Sequence, residues 1–192
     1  MTKDVFVFIE TKDKSIRKVS FELLSKGKEI AKKLSSQLYS VIIGYNINAL
    51  AEELKSFSDK VIVVDYQILD NYRWDTYLDV LEKLVKKYYP FLILGPSTIT
   101  GKDLFPRLAA RLKIQIISDA VGIDVDTSGI KVKKPMFGGK ITSWLTCSDN
   151  NMMLITFRPN SFSVEKMLLQ GELVQEPMEI TTDKRINIIS ID

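Results

Sequence analysis

The residues best suited to contact a ligand lie in one loop, residues 95–103 (GPSTITGKD). Its candidate binding positions are Gly95, Ser97, Thr98, Gly101 and Lys102, with a further hydroxyl at Thr100. They combine hydroxyl groups, a flexible glycine and a cation. The loop leads into a helical segment, and the free N–H groups of a helix N-terminus attract anions. This pattern predicts contacts to an anionic cofactor or nucleotide.

The same loop is open to a purely structural interpretation. It is not a P-loop, because the Gly-x4-Gly-Lys-Ser/Thr spacing fails, and no Gly-x-Gly-x-x-Gly occurs in the chain. Thr100 followed three residues later by Asp103 resembles a capping box. Pro106 fits only the first helical turn, which favours Asp103 as the N-cap and leaves residues 95–102 as a longer loop. Helix capping and ligand contact both stay open.

Three arginines are candidates for a partner interface. Arg107 and Arg111 are one helical turn apart and point the same way, so they either pair with carboxylates of this chain or reach a partner surface. Arg158 follows the strand-like residues 154–157 at the edge of the sheet, where it is structural or interfacial.

Other chemistry is largely excluded by composition. The chain has no histidine, which rules out His-based triads, His general bases and the usual zinc ligand sets. The single cysteine, Cys147, rules out an intrachain disulfide, and its strand-like surroundings predict a buried, inert thiol. Asp119, Asp124 and Asp126 alternate along an extended stretch, as on a solvated strand. We predict no catalytic residue and no metal site.

The first half of the chain alternates strand and helix patterns. Strands are predicted at residues 5–9, 39–43, 60–64 and 91–94, with helical segments at 23–34, 49–57, 77–88 and 104–112. Strands separated by helices of this length imply a parallel sheet with right-handed crossovers. Ligands of such sheets bind beyond the carboxyl ends of the strands where the strand order reverses. The candidate loops are therefore 10–15 and 95–103.

From about residue 114 the pattern changes to closely spaced strands. Turn signals at 126–129, 137–140 and 148–151 predict antiparallel hairpins, and residues 171–180 and 186–191 predict a final extended pair. We expect one domain over residues 1–192: a three-layer α/β structure with a mostly parallel sheet and additional antiparallel strands in the C-terminal third.

Charge and hydropathy limit the partners. The net charge of +3 comes from interspersed residues of both signs, and the densest basic cluster (Lys131, Lys133 and Lys134) is too small for a nucleic-acid surface. The apolar run before Glu10 is shorter than a signal peptide requires. No segment approaches a membrane span. We expect a cytoplasmic protein without membrane insertion.

Residues 95–112 (GPSTITGKDLFPRLAARL) resemble the loop and helix of electron transfer flavoprotein alpha subunits. Weaker similarities follow in the family's order: the first strand at 5–10, Asp119 with the hairpin after it, residues 134–139 (KPMFGG) and residues 156–159 (TFRP). The resemblance covers essentially the whole chain. It implies the Rossmann-like, adenine nucleotide alpha hydrolase-like fold of that family's N-terminal domain.

The resemblance implies an electron-transfer scaffold and not an enzyme. In the family this domain packs against the beta-type subunit, and FAD carries electrons from dehydrogenases to an acceptor. No segment here resembles the C-terminal domain that holds most of the FAD contacts. FAD is thus expected in the complete complex and not on this chain alone, with a separate flavin-binding domain as a further partner if the subunit is split. The related fold of the beta subunit holds AMP, which the alpha copy generally does not. A stand-alone adenine-nucleotide-binding regulatory module is the alternative.

Overall fold

The computed structural model describes residues 3–126, 129–147, 151–182 and 189. The strands are Val5–Ile9 (β1), Thr11–Lys12 (β2), Ser15–Ile16 (β3), Leu38–Gly44 (β4), Lys60–Asp65 (β5), Leu92–Pro96 (β6), Gln115–Ala120 (β7), Gly122–Asp126 (β8), Gly129–Met136 (β9), Ile141–Cys147 (β10), Met153–Phe157 (β11) and Glu172–Gln175 (β12). The α-helices are Lys18–Leu34 (α1), Asn48–Leu54 (α2), Trp74–Tyr88 (α3) and Ile99–Leu112 (α4).

A seven-stranded parallel sheet forms the middle of the molecule, in the order β12-β5-β4-β1-β6-β11-β7. Its central strands β1, β4, β6 and β11 are buried along their whole length, because helices cover both faces. From β1 the chain builds outward through β4 and β5, and it then returns to β6 on the other side of β1. The strand order therefore reverses between β1 and β6.

Helices on both faces of the sheet complete three layers. One core joins alternate residues of the central strands to α1 and α2, and a second core joins the other residues to α3 and α4. Helix α3 ends at Tyr89, whose left-handed backbone (φ 50°) donates its N–H to Val85, just before Pro90. The predicted three-layer α/β architecture with a mostly parallel sheet is confirmed.

A separate antiparallel sheet, in the order β10-β9-β8, packs on the α1 side of the molecule. It confirms the predicted antiparallel strands and two of the predicted hairpins. Residues 127 and 128, within the first turn, lie outside the described residues, as do residues 148–150 and the side chain of Cys147. The third predicted hairpin is wrong: β11 does not pair back on β10 but inserts in parallel between β6 and β7. The burial of all five of its residues explains this position.

The chain after β11 crosses the molecule to the opposite edge of the sheet, where β12 pairs in parallel with β5. The predicted pairing of residues 171–180 with 186–191 is not observed for the first segment, and the second lies, except for residue 189, outside the described residues. Beyond β12, the buried Glu176 accepts hydrogen bonds from Lys87 (2.7 Å) and from the Tyr88 hydroxyl. These contacts hold the segment against α3.

Candidate functional site

The two loops that were predicted to bind ligands meet in one cleft at the reversal of strand order. Its volume is about 580 Å³, and its lining is Glu10, Thr11, Lys12, Arg17, Ser97, Thr98, Ile99, Thr100, Lys102 and Pro159. The short β2–β3 hairpin forms one wall and the start of α4 forms the other. The topology of the sheet thus determines where the cleft lies.

Helix α4 begins earlier than either capping prediction allowed. Its N-cap is Thr98, whose Oγ1 accepts the backbone N–H of Gly101 at 3.1 Å. Both Thr100 and Asp103 lie within the helix, so the predictions of either residue at the cap are wrong. Pro106 also lies inside α4, as its eighth residue, although proline removes a helical N–H donor.

The two glycines of the loop are required by internal packing. A Cβ atom on Gly95 would lie 2.2 Å from the ring of Phe105, and one on Gly101 would lie 1.8 Å from the carbonyl oxygen of Pro96. Real Cβ atoms essentially never approach so closely. Gly101 is therefore not the flexible loop residue that the sequence predicted, but a helical residue that lets α4 lie directly on β6.

The hydroxyl groups of the loop also have partners within the chain. The Ser97 hydroxyl donates to Thr156 Oγ1 (2.8 Å), which in turn accepts the backbone N–H of Asp119 (3.1 Å). The Thr98 hydroxyl donates to Glu10 Oε1 at 3.1 Å. Of the predicted cofactor-binding residues, Lys102 has an exposed side chain without an ion pair in the part of the chain that the structure describes.

Glu10 lies in the predicted loop 10–15, but the sequence did not single it out as a site residue. It directly follows β1 and is 6% exposed, and its Oε1 also accepts a hydrogen bond from Arg17 Nη1 at 3.1 Å. Its second oxygen, Oε2, is buried without a hydrogen-bond partner. The available signal in the sequence was a charged residue directly after a wholly apolar strand. Burying a carboxylate is costly, so a carboxylate at such a position indicates a special environment.

Each arginine predicted at a partner interface forms an ion pair within the chain. The pairs are Arg107–Asp103 (2.6 Å), Arg111–Glu82 (2.9 Å) and Arg158–Asp119 (2.7 Å). The first pair is helical i,i+4, and its guanidinium also lies 4.8 Å from the Trp74 ring. All three side chains remain about half exposed. Their role at an interface stays a prediction.

The Arg158–Asp119 pair sits at the carboxyl ends of β7 and β11. Both guanidinium nitrogens Nε and Nη2 donate to the carboxylate, and this pairing lowers the pKa of Asp119. Lys102 and Lys134 lie near enough to lower it further. The other aspartates of the alternating stretch also form ion pairs, Asp124 with Lys33 and Asp126 with Lys131. Among the described residues, no three carboxylates or thiols cluster as metal ligands.

The antiparallel sheet carries an exposed apolar surface. It lies at the turn between β9 and β10, where Met136, Phe137 and Ile141 are 37%, 74% and 53% exposed. Trp144, further along β10, is 54% exposed. Strand alternation puts Trp144 on the opposite face of β10 from Ile141, so we call only Met136, Phe137 and Ile141 the hairpin tip. Within the described ranges, no helix has the length and apolar character that crossing a membrane requires.

Comparison with known proteins places this architecture in a family. Residues 5–187 match the family model described as the electron transfer flavoprotein domain. The electron transfer flavoprotein subunit alpha of Clostridium acetobutylicum is 37% identical over 163 residues, which is 83% of this chain and 48% of the relative. The corresponding subunit of Thermoanaerobacterium thermosaccharolyticum is 32% identical over 194 residues, 98% of this chain and 59% of the relative.

A third relative, Protein FixB of Clostridium saccharobutylicum, is 30% identical over 198 residues, 95% of this chain and 59% of the relative. The chain thus spans about half the length of the curated relatives it matches. The resemblance to alpha subunits, first seen in residues 95–112, is confirmed by matches that cover nearly the whole chain. The chain belongs to the electron transfer flavoprotein family, and within that family it resembles the alpha subunits.

Proposed function

We propose that this chain is the scaffold of an electron transfer flavoprotein, which pairs with a beta-type subunit and supports FAD-mediated electron transfer from dehydrogenases. Family membership and the names of the relatives, which are electron transfer flavoprotein subunits, support this role. The observation that carries it is the hairpin tip, because exposed apolar side chains grouped at one place are typical of protein–protein contacts.

The hairpin tip has the composition of an interface centre. Phenylalanine and methionine are enriched at interfaces, and each contributes free energy to binding when a partner removes it from water. Lys134 of β9 and Lys140 of the turn flank the apolar residues, and neither forms an ion pair in the described part of the chain. A partner with an apolar pocket and acidic groups around it fits this surface.

The predicted interface arginines fit a peripheral role. Since Arg107, Arg111 and Arg158 already pair with carboxylates of this chain, a partner gains little from their charge. Their half-exposed side chains still offer hydrogen-bond donors to a neighbouring surface. We propose that they contribute only peripheral contacts to a partner.

Four of the five residues predicted to bind cofactor are packed or hydrogen-bonded within the chain. Gly95 and Gly101 are closed by Phe105 and Pro96, and the hydroxyls of Ser97 and Thr98 are bonded within the chain. We therefore derive no step of electron transfer through this loop. FAD belongs, in this proposal, to a complex in which a beta-type subunit and a flavin-binding domain supply its contacts.

Co-expression with a beta-type subunit tests the pairing. The parent chain is expected to co-purify with it as a one-to-one complex by size-exclusion chromatography with light scattering. Phe137→Ser is expected to weaken the complex about 10- to 100-fold, since burying such a side chain contributes about 1.5–3 kcal/mol. Leu168→Ser is the matched control, because Leu168 is 95% exposed and lies far along the chain from the hairpin.

Equal co-purification of the Phe137→Ser variant and the parent would contradict the assignment of the hairpin tip. Failure of the parent chain to form any complex would contradict the scaffold role itself. Adding a flavin-binding domain and recording the visible absorbance of the purified assembly then tests whether FAD joins it.

A further inference from the structure

The antiparallel sheet has an open edge along β10. The two larger sheets end in the outer strands β12, β7, β8 and β10, and no described strand pairs with their outer sides. Three of these strands carry charged residues: Glu172 in β12, Asp119 in β7, and Asp124 and Asp126 in β8. Strand β10 (ITSWLTC) has no charged residue and no proline. It therefore lacks the side chains that usually protect an edge strand from pairing with another chain.

Strand β10 is also long and regular. Its seven residues pair with β9 in an unbroken register, from Ile141 opposite Met136 to Cys147 opposite Ile130, so no bulge bends the edge away. Alternate residues of an antiparallel strand direct their backbone N–H and C=O groups away from the neighbouring strand. On β10, the backbone groups directed outward have no backbone partner among the described residues. The edge thus offers a row of unused hydrogen-bonding groups.

We propose that β10 pairs in antiparallel fashion with β10 of a second copy of this chain, about a two-fold axis at Trp144. The product is one six-stranded sheet in the order β8-β9-β10-β10-β9-β8. Each copy contributes one such edge, so the pairing closes at a dimer and does not continue into a fibre. This association does not depend on the pairing with a beta-type subunit.

The side chains of β10 are complementary to themselves in this register. Trp144 is the middle residue of the strand, so each Trp144 lies opposite the other and Thr142 lies opposite Thr146. These three residues share the exposed face, where Trp144 is 54% exposed. Aromatic pairs and threonine pairs opposite each other stabilise antiparallel strands. A second copy therefore covers the tryptophan as well as the edge.

Charge does not oppose the pairing of two copies. No charged side chain lies opposite another, because β10 has none. The nearest cation on the exposed face is Lys133, which lies opposite Trp144 on β9. In the dimer the two Lys133 residues are three strand spacings apart, about 14 Å. Repulsion over that distance is largely screened at physiological ionic strength.

Sedimentation velocity of the full chain alone, from about 1 μM to about 100 μM, tests the proposal. The parent is expected to change from monomer to dimer over this range, since one pair of strands is a small interface. Trp144→Lys places like charges opposite each other and is expected to weaken the dimer at least about 30-fold. Leu168→Lys is the matched control, because it adds the same charge at a side chain that is 95% exposed and outside the strands. Far-UV circular dichroism checks that each variant is folded.

Hydrogen exchange measured by mass spectrometry reports on the strand itself. The amides of residues 141–147 are expected to exchange more slowly at about 100 μM chain than at about 1 μM, and unchanged exchange in a dimer overturns the proposal. A parent that stays monomeric, or two lysine variants that dimerise alike, also overturns it. Loss of the dimer in Phe137→Ser but not in Trp144→Lys would assign the association to the hairpin tip instead. Protection of β10 only after a beta-type subunit is added would make that subunit, and not a second copy, the partner of this edge.

Discussion

Replacing Gly101 by alanine is expected to destabilise the chain, although alanine is the better helix former. Gly101 is the third residue of α4, and its Cβ would lie 1.8 Å from the carbonyl oxygen of Pro96. Backbone has to move by more than about 1 Å to reach even a tight contact, because 3.0 Å is the practical lower limit. Pro96 belongs to β6 and is held in register with Phe157 of β11, so the movement strains the central sheet.

The expected loss combines two opposing effects. Overpacking of a close contact costs about 1–3 kcal/mol, and more where backbone is the obstacle. The higher helix propensity of alanine over glycine stabilises the variant by about 1 kcal/mol. We therefore expect the free energy of unfolding of Gly101→Ala to fall by about 2 kcal/mol, which lowers the urea midpoint by about 1 M.

Gly27→Ala is the control for this measurement, because Gly27 is also helical but faces side-chain methyl groups and not backbone. Its Cβ would lie 2.9 Å from a methyl of Leu38 and 3.0 Å from a methyl of Val7. Its stability is expected to stay within about 1 kcal/mol of the parent. Urea unfolding followed by far-UV circular dichroism gives both values. A Gly101→Ala variant as stable as the parent would refute the packing role of this glycine.

Two further predictions concern the neighbourhood of the cleft. Lys14 has a left-handed backbone (φ 56°) in the β2–β3 turn, a conformation that glycine adopts without strain. Lys14→Gly is therefore expected to raise the unfolding free energy by up to about 1 kcal/mol, as measured by urea unfolding. The control Lys12→Gly, in β2, is expected to lower it. Asp119 has a lowered pKa because of Arg158, so its pairing stabilises the fold above the unfolded-state pKa of about 3.9 and is lost as the pH falls through the lower folded-state value. Asp119→Asn is therefore expected to show a smaller loss of thermal stability than the parent between about pH 5 and about pH 3, and an unchanged pH profile would contradict this.

The order of elements in the first half of the fold was predictable because local patterns decide it. Continuous apolar runs marked the buried parallel strands, and helical periodicity marked α1 and α3 within a few residues of their observed bounds. The placement of β11 was not predictable from its neighbours. Its insertion between β6 and β7 depends on contacts with strands far away in the sequence, whereas polar residues 148–151 gave only a local turn signal.

The chemistry of the site was less predictable than its position, since the function of a glycine or a hydroxyl depends on what surrounds it. The sequence predicted that Gly95 and Gly101 contact a ligand, but the Phe105 ring and the Pro96 carbonyl fill the space beside them. Glu10 drew no attention in the sequence because a single carboxylate at the end of a strand is usually solvated. Its burial without a donor at Oε2 depends on how the folded chain packs around it.

The exposure of the hairpin tip was also not predictable from the local sequence pattern. On β9, alternate residues face the core, and Ile130 and Val132 are 3% and 0% exposed. Met136 lies on the same face by strand periodicity, opposite Ile141, yet both are exposed. Alternation predicts which face a side chain takes, but what covers that face depends on how far the hairpin extends beyond the core. An apolar pattern that continues past its own core is explained most simply by a second protein that covers it, which is why this surface, more than the arginines, carries the proposal of a subunit contact.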